Sequence, residues 1–277
     1  MKTALIISSQ VAASRVGASA SAFCLQRLGV NTIVLPTTLL GRHPGWGPPG
    51  GGAVDAARLT DMWQAIAAQD IRIDGVLTGY MADIAHIAPA AEIIKSLKAG
   101  NPDLITVVDP VMGDHGKLYV PEPIARGIIE DLLPLADYDT PNLWELGYMT
   151  GLPTESPAQI INAASALTAR TVVTSVPAGD DIGAMLCTPQ GSWLVAHPKF
   201  TQTPHGGGDS LAGTFLGRLL TGSDPKDALA LATASIFEIL KMAEAAGDTE
   251  LPLVRGQDAL VEAKGLPPNP VYKEPHD

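Results

Sequence analysis

The chain has 277 residues, 46% of them hydrophobic and 17% charged, with a net charge of −11 and an isoelectric point near 4.9. That is enough apolar residue for one large α/β domain over residues 1–277 with a sheet buried on both faces, and the lack of any Lys/Arg cluster argues against nucleic acid and anionic membrane as partners. Cys24 and Cys187 are too few for a disulfide framework and lack metal-ligand spacing, which predicts two reduced core thiols in a cytoplasmic protein.

At the N-terminus, Lys2 followed by an apolar stretch mimics a secretory signal. The apolar part, Ala4 to Ile7, is shorter than the roughly 7–15 residues a signal needs, so Thr3–Ser8 is expected as a first buried strand. No apolar run of about 18 residues occurs, so no membrane-spanning helix is expected. A helical segment is expected around Gly17–Leu28 and a second strand at Asn31–Pro36. The glycine- and proline-rich stretch Gly41–Gly52 reads as a mobile loop, a candidate flap over a pocket. Helical spacing at Arg58–Gln69 leads to a strand at Gly75–Gly79. A helix within Ala88–Lys98 leads to a strand at Leu104–Asp109. A helix near Ile124–Leu133, a short strand at Asp137–Thr140 and a helix opening after Pro141 follow. Thr171–Ser175, Gly183–Thr188 and Ser192–Ala196 are the last expected strands, and Asp209–Leu220 and Pro225–Ala245 the last helices. Gly265–Asp277, rich in proline and polar residues, reads as a surface tail.

Strands alternating with helices predict a three-layer α/β/α sandwich around a mostly parallel sheet, and the close pair at 183–196 predicts an antiparallel hairpin at one edge. Ligands in such sheets bind at the carboxyl ends of the strands.

Several motifs are absent or misleading. Gly45-Trp-Gly47-Pro-Pro-Gly50 fits G-x-G-x-x-G literally, but Pro48-Pro49 makes it a poor helix opening after a strand. No GxxxxGK[ST], H-E-x-x-H or G-x-S-x-G occurs. Gly206-Gly207-Gly208-Asp209-Ser210, running into an apolar-periodic helix, offers backbone N–H groups and a helix N-terminus to an anion, with a carboxylate beside them. Asp209 there could deprotonate an alcohol attacking a phosphoryl group, or simply cap the helix behind a flexible loop; the segment alone does not choose. Val107-Val108-Asp109-Pro110-Val111-Met112-Gly113-Asp114 and Thr140-Pro141-Asn142-Leu143-Trp144-Glu145 place further polar groups just past two strand ends. Singly these residues are helix caps and turn formers; together, Asp109, Asp114, Asn142 and Glu145 could hold Mg²⁺ and its water shell against a triphosphate.

The order of VVDPVMGD, TPNLWEL and a late GGGD resembles the ribokinase-like superfamily, in its vitamin-kinase branch. Within that branch, Ser9-Gln10-Val11, Arg15-Val16-Gly17, Leu25-Gln26-Arg27-Leu28-Gly29, His43, Thr78-Gly79-Tyr80 and Tyr119-Val120-Pro121 resemble the pyridoxal kinase family from about residue 3 to about 245. The resemblance implies a ribokinase-like fold without the sugar-kinase lid, and ATP-dependent phosphorylation of the 5′-hydroxymethyl group of pyridoxal. It implies Asp209 as base and Gly206, Gly207 and Gly208 as anion hole. Ser9, His43, Tyr80 and His205 would lie at the pyridine ring, and Asp109, Thr140, Asn142, Glu145, Thr174, Ser175 and Tyr119 on the nucleotide side. Asp109, Asp114 and Glu145 would serve Mg²⁺, with K⁺ left as an option, in a homodimer. Three positions depart from the family pattern: Gly207 replaces a threonine, Pro44 a hydroxyl residue and His205 a small apolar residue. They keep open a non-catalytic pyridoxal or nucleotide binder. Hydroxymethylpyrimidine kinase is the neighbouring enzyme alternative, against which Asp209 argues because that family usually has cysteine there.

Overall fold

The computed structural model describes residues 1–167 and 170–271. Its strands are β1 (Thr3–Val11), β2 (Asn31–Leu40), β3 (Gly51–Ala53), β4 (Gly75–Thr78), β5 (Ile105–Val108), β6 (Gly113–Asp114), β7 (Lys117–Leu118), β8 (Tyr138–Asp139), β9 (Arg170–Ala178), β10 (Asp181–Thr188), β11 (Gly191–Pro198) and β12 (Asn269–Val271). The helices are α1 (Ala18–Arg27), α2 (Ala56–Ala67), α3 (Ile87–Gly100), α4 (Glu122–Gly127), α5 (Leu143–Thr150), α6 (Pro157–Ala164), α7 (Gly207–Leu220), α8 (Pro225–Ala246) and α9 (Ala259–Glu262).

Ten strands form one sheet in the order β12-β11-β10-β9-β8-β5-β4-β1-β2-β3. The pairs from β2 through β1, β4, β5 and β8 to β9 are parallel, while β3 at one end and β10, β11 and β12 at the other run antiparallel. The mixed, mostly parallel sheet with an antiparallel edge hairpin is the arrangement expected from the sequence.

Strand periodicity explains the layers. Successive side chains of β1 point to opposite faces, so Ala4 and Ile6 pack with Leu25 of α1, Phe215 and Leu216 of α7 and Ile239 of α8. Leu5 and Ile7 instead meet Leu59 of α2, Ile87 and Ile94 of α3 and Ile124 of α4. A third cluster joins α5 and α6 to β9 and β10 on that second face, through Leu146, Ile160, Val173 and Met185. Both faces being covered is why β1 reads as a continuous apolar run. Each fully buried Leu or Ile in these layers contributes roughly 1.5–3 kcal/mol of apolar transfer free energy.

Three expectations are corrected and one helix is added. The helix expected at Ile124–Leu133 is α4 followed by a π-helical turn, Ile128–Leu132, and a tight turn through Pro134, whose ring cannot continue an α-helix. Within Gly41–Gly52, the chain makes a tight turn at Pro44–Trp46 and then pairs Gly51 and Gly52 back onto Leu40 and Leu39, so the loop is the tip of a β2–β3 hairpin. The expected tail contributes β12, paired with Ser192–Leu194; its residues 272–277 lie outside the described residues. Helix α6 was not foreseen, although Ser156 and Gln159 cap its start reciprocally with Pro157 at the first helical position.

Candidate active site

The carboxyl ends of the parallel strands bring the expected residues to one end of the sheet. Asp109 follows β5, Thr140 follows β8, Tyr80 follows β4, and Ser9 lies in the last turn of β1 toward that end. The glycine loop enters α7 there as well.

Gly206 caps α7 in the left-handed region (φ 94°), and a Cβ at this position would stand 2.3 Å from the Arg15 carbonyl oxygen. Only glycine fits. At Gly207 and Gly208 an added Cβ would meet no heavy atom within 4 Å, so open space faces the helix N-terminus where an anion would sit. Asp209 lies in the first turn of α7. Burial raises its carboxyl above the ordinary carboxylate range, while the backbone N–H groups of Gly17 and of Asp209 itself pull it back.

Asp109 is buried, and its carboxyl is pushed well up by burial first, then by the charges of Asp209 and Glu145; the Thr140 hydroxyl offsets part of this. Like charges therefore face each other across the strand ends. Tyr119, half exposed, is pushed up by desolvation and by the charges of Glu145, Asp109, Asp114 and Asp209.

Glu145 is held by three backbone N–H groups. Its Oε1 accepts from Met112 N–H (2.8 Å) and Gly113 N–H (3.2 Å), and its Oε2 accepts from Asn142 N–H (2.9 Å). Asn142 answers by accepting from Glu145 N–H at 2.8 Å, a reciprocal cap of α5, and donates Nδ2–H to Gly113 O at 2.8 Å. Both residues are caps, and together they pin the loop after β5 to the loop after β8. Burial raises the Glu145 carboxyl, and these three N–H donors hold it down. Asp114 sits on the β6–β7 hairpin and accepts from His115 N–H at 2.7 Å. No group of three or more His, Cys, Asp or Glu among the described residues could ligate a metal directly, so Asp109, Asp114 and Glu145 do not form a three-carboxylate ligand set. Replacing Glu145 by glutamine is expected to destabilise the fold by about 1–3 kcal/mol, because one of its buried N–H partners then faces an NH₂ group. Denaturant unfolding at pH 7 checks this, and an unchanged midpoint would remove the pinning role.

Beside Pro141, Thr174 N–H donates to Pro141 O at 2.8 Å, which carries the sheet one step past β8. Ser175 has φ 60°, a left-handed conformation that costs a non-glycine residue about 1 kcal/mol or more, where the β9–β10 register shifts.

On the other side, Gly17 packs so closely against Ser9 that a Cβ would lie 2.1 Å from its Oγ. Tyr80 is half-buried and its carbonyl accepts from Thr37 Oγ1–H at 2.7 Å. The hairpin tip reaches the glycine loop: the rings of His43 and His205 lie 4.3 Å apart between centroids, and Trp46 meets both edge-on. Burial and the neighbouring His205 push the His43 imidazole down, and Glu250 opposes them. Trp46 and Glu250 had no sequence signal; their positions depend on a hairpin and on a contact spanning most of the chain. Two grooves, of about 400 and 500 Å³, flank Arg170 near the starts of β8 and β9, at the opposite ends of the strands.

Comparison with known proteins shows the family and the fold. The phosphomethylpyrimidine kinase family model matches residues 51–254. The chain is 32% identical over 269 residues to pyridoxal kinase PdxY of Rubrobacter xylanophilus, covering 93% of each chain. To pyridoxal kinase PdxY of Corynebacterium diphtheriae it is 33% identical over 274 residues, covering 94% of this chain and 96% of the other. The structure of Leishmania donovani pyridoxal kinase in complex with ADP and pyridoxamine superposes with a TM-score of 0.91 at 24% identity, over 98% of this chain and 100% of that one. That likeness establishes a shared ribokinase-like fold.

Proposed function

Because the chain belongs to the phosphomethylpyrimidine kinase family, with pyridoxal kinases matching it over almost its whole length, we infer that it phosphorylates the 5′-hydroxymethyl group of pyridoxal with ATP. The observation that carries the chemistry is a carboxylate, Asp209, in the first turn of a helix whose glycine N-terminus opens onto free space.

In the proposed step, the acceptor oxygen attacks the γ-phosphorus as Asp209 takes its proton. The bond from phosphorus to the β,γ-bridging oxygen breaks, and ADP leaves with that oxygen. The N–H groups of Gly206, Gly207 and Gly208 face the transferring group, where the helix dipole favours negative charge. Phosphoryl transfer asks the protein mainly for position and charge neutralisation, which a preformed loop supplies. Ser9, His43, Tyr80 and His205 would bound the pyridine ring. Thr140, Asn142, Thr174, Ser175 and Tyr119 would bound the nucleotide.

The residues fit a divalent cation in one specific sense. The charges of Asp209 and Glu145 push the buried Asp109 carboxyl up, a like-charge cluster that a cation between phosphate and protein would relieve. Mg²⁺ keeps several waters and needs only one or two carboxylates beside substrate phosphates. Asp109 and Asp114 would hold it through that water shell, with Glu145 acting through the loop it pins. When bound, it would supply charge neutralisation of the triphosphate.

We further propose one kinase domain, working as a homodimer in the cytoplasm where ATP is supplied. No helix among the described residues is long and apolar enough to cross a membrane.

The test is turnover with Mg-ATP, offering pyridoxal, pyridoxamine, pyridoxine and hydroxymethylpyrimidine separately. Hydroxymethylpyrimidine is included because the matching family bears the phosphomethylpyrimidine kinase description. Pyridoxal 5′-phosphate formation is the expected result. Preference for the pyrimidine would move the assignment to the neighbouring enzyme, and binding without turnover of any acceptor would make the chain a binder.

A further inference from the structure

The glycine loop is held from two sides by one short segment that follows α8. Backbone bonds run from His205 N–H to Thr249 O (3.1 Å) and from Leu251 N–H to His205 O (3.2 Å), a parallel bridge between His205 and Glu250. This fixes the residue immediately before Gly206. From the middle of the same bridge, the Glu250 side chain turns to the β1–α1 loop. Its Oε1 accepts from Arg15 N–H at 2.7 Å and from the hydroxyl of Ser14, which is buried. The Arg15 carbonyl in turn lies against Gly206, so close that only a glycine fits between them. Two residues on, Gly17 abuts Ser9.

Glu250 therefore closes a ring: its backbone anchors the entry of the glycine loop, and its carboxylate anchors the loop that backs Gly206. We propose that Glu250 is a positioning residue for phosphoryl transfer, setting the distance between the glycine loop and the Arg15–Gly17 segment, and hence the placement of Asp209. It touches neither acceptor nor nucleotide in this role. The inference rests on the reading of Asp209 as base.

The geometry explains why an acid serves here. A single carboxylate oxygen accepts both a backbone N–H and a hydroxyl, and charge-assisted acceptors are the stronger ones. Glutamine keeps an oxygen able to accept both bonds; alanine keeps none. The aromatic contact of His205 with His43 draws the hairpin tip onto the same anchor, and the Glu250 charge acts on His43.

The experiment compares wild type with Glu250→Ala, Glu250→Gln, Ser14→Ala and Asp209→Ala in steady-state kinetics with Mg-ATP and pyridoxal, across pH, with thermal unfolding of each. Displacing a catalytic group by a fraction of an ångström to an ångström lowers kcat, so Glu250→Ala is expected to lose about tenfold or more in kcat, with both KM values within about threefold. Its acid limb of kcat is expected at higher pH than in wild type, because a relaxed Arg15–Gly17 segment withdraws the Gly17 N–H that favours ionised Asp209. Glu250→Gln is expected to recover most of kcat. Ser14→Ala, which removes one of two donors, is expected to lose less in the same direction and covers the case in which Glu250→Ala does not fold. Wild-type kcat and pH profile in folded Glu250→Ala overturn the proposal. So does activity lost only in proportion to the folded fraction. If Ser14→Ala alone folds, a wild-type kcat and pH profile in it overturn the proposal too. Substantial turnover by Asp209→Ala would instead overturn the base assignment, leaving the two failures distinct.

Discussion

Asp209→Asn and Asp209→Ala are expected to lower kcat by about 10²- to 10⁴-fold, the range a positioned general base contributes, with ATP affinity within a few-fold of wild type. Asp209 lies in the first turn of α7, and in the proposed step it acts on the acceptor hydroxyl, so nucleotide binding is not expected to depend on its charge. The asparagine variant carries a second signature. Burial raises the Asp209 carboxyl above its value in the unfolded chain. A raised acid binds its proton more tightly folded than unfolded, so its stability contribution is fully present below the unfolded-chain pKa and is lost as pH rises from there through the folded pKa. At neutral pH the ionised group is therefore a destabilising one, and a neutral amide of the same shape relieves it. Asp109, whose carboxyl is pushed up partly by the Asp209 charge, is relieved as well. The expected outcome is a dead enzyme that melts higher than wild type near pH 7–8. Loss of activity with a lower melting temperature would point to misfolding, and retention of most turnover would take the base role away from Asp209.

The sheet was legible in the sequence because its strands are buried on both faces. Thr3–Ser8, Gly75–Gly79 and Leu104–Asp109 each fall on an observed strand, since an apolar run bounded by polar turns has few other fates in a chain alternating with amphipathic helices. Motifs at strand ends were legible for the same reason: Asp109, Thr140 and Asp209 are brought to one end by the parallel topology itself. The elements that escaped are short and tertiary. β3, β12 and the β6–β7 hairpin are two or three residues long, and Gly51–Ala53 has no pattern that separates a strand from a loop. The capping role of Glu145 was not separable in the sequence from a metal-serving one, because both have the same spacing to Asn142; its three N–H donors come from the fold. Glu250 contacts Ser14 across 236 residues, which no local motif encodes.

Asp139 gives the second large expected effect. It lies on β8 between Val108 of β5 and Thr171 of β9, and alternation with Tyr138 turns it away from Phe215 into the second layer. It is fully buried, and neither carboxylate oxygen has a hydrogen-bond partner among the described residues. Burial pushes its carboxyl up to about 7 from an ordinary 3.8. Between roughly pH 4 and 7 the folded protein thus holds a proton that the unfolded chain has released, so wild-type stability falls as pH rises through that window and levels off above it. A displacement of this size corresponds to the order of 4 kcal/mol as an upper bound. Asp139→Asn removes the titration while keeping the shape, and is expected to be more stable than wild type by a few kcal/mol at pH 8, by less than half of that at pH 5 and by little at pH 4. Other raised carboxyls, including Asp109 and Glu145, are present in both proteins and drop out of the difference. Denaturant unfolding of the pair at pH 5 and pH 8 measures it directly. A difference that stays constant between the two pH values would mean that Asp139 is ionised in both states and finds its compensation in the folded core.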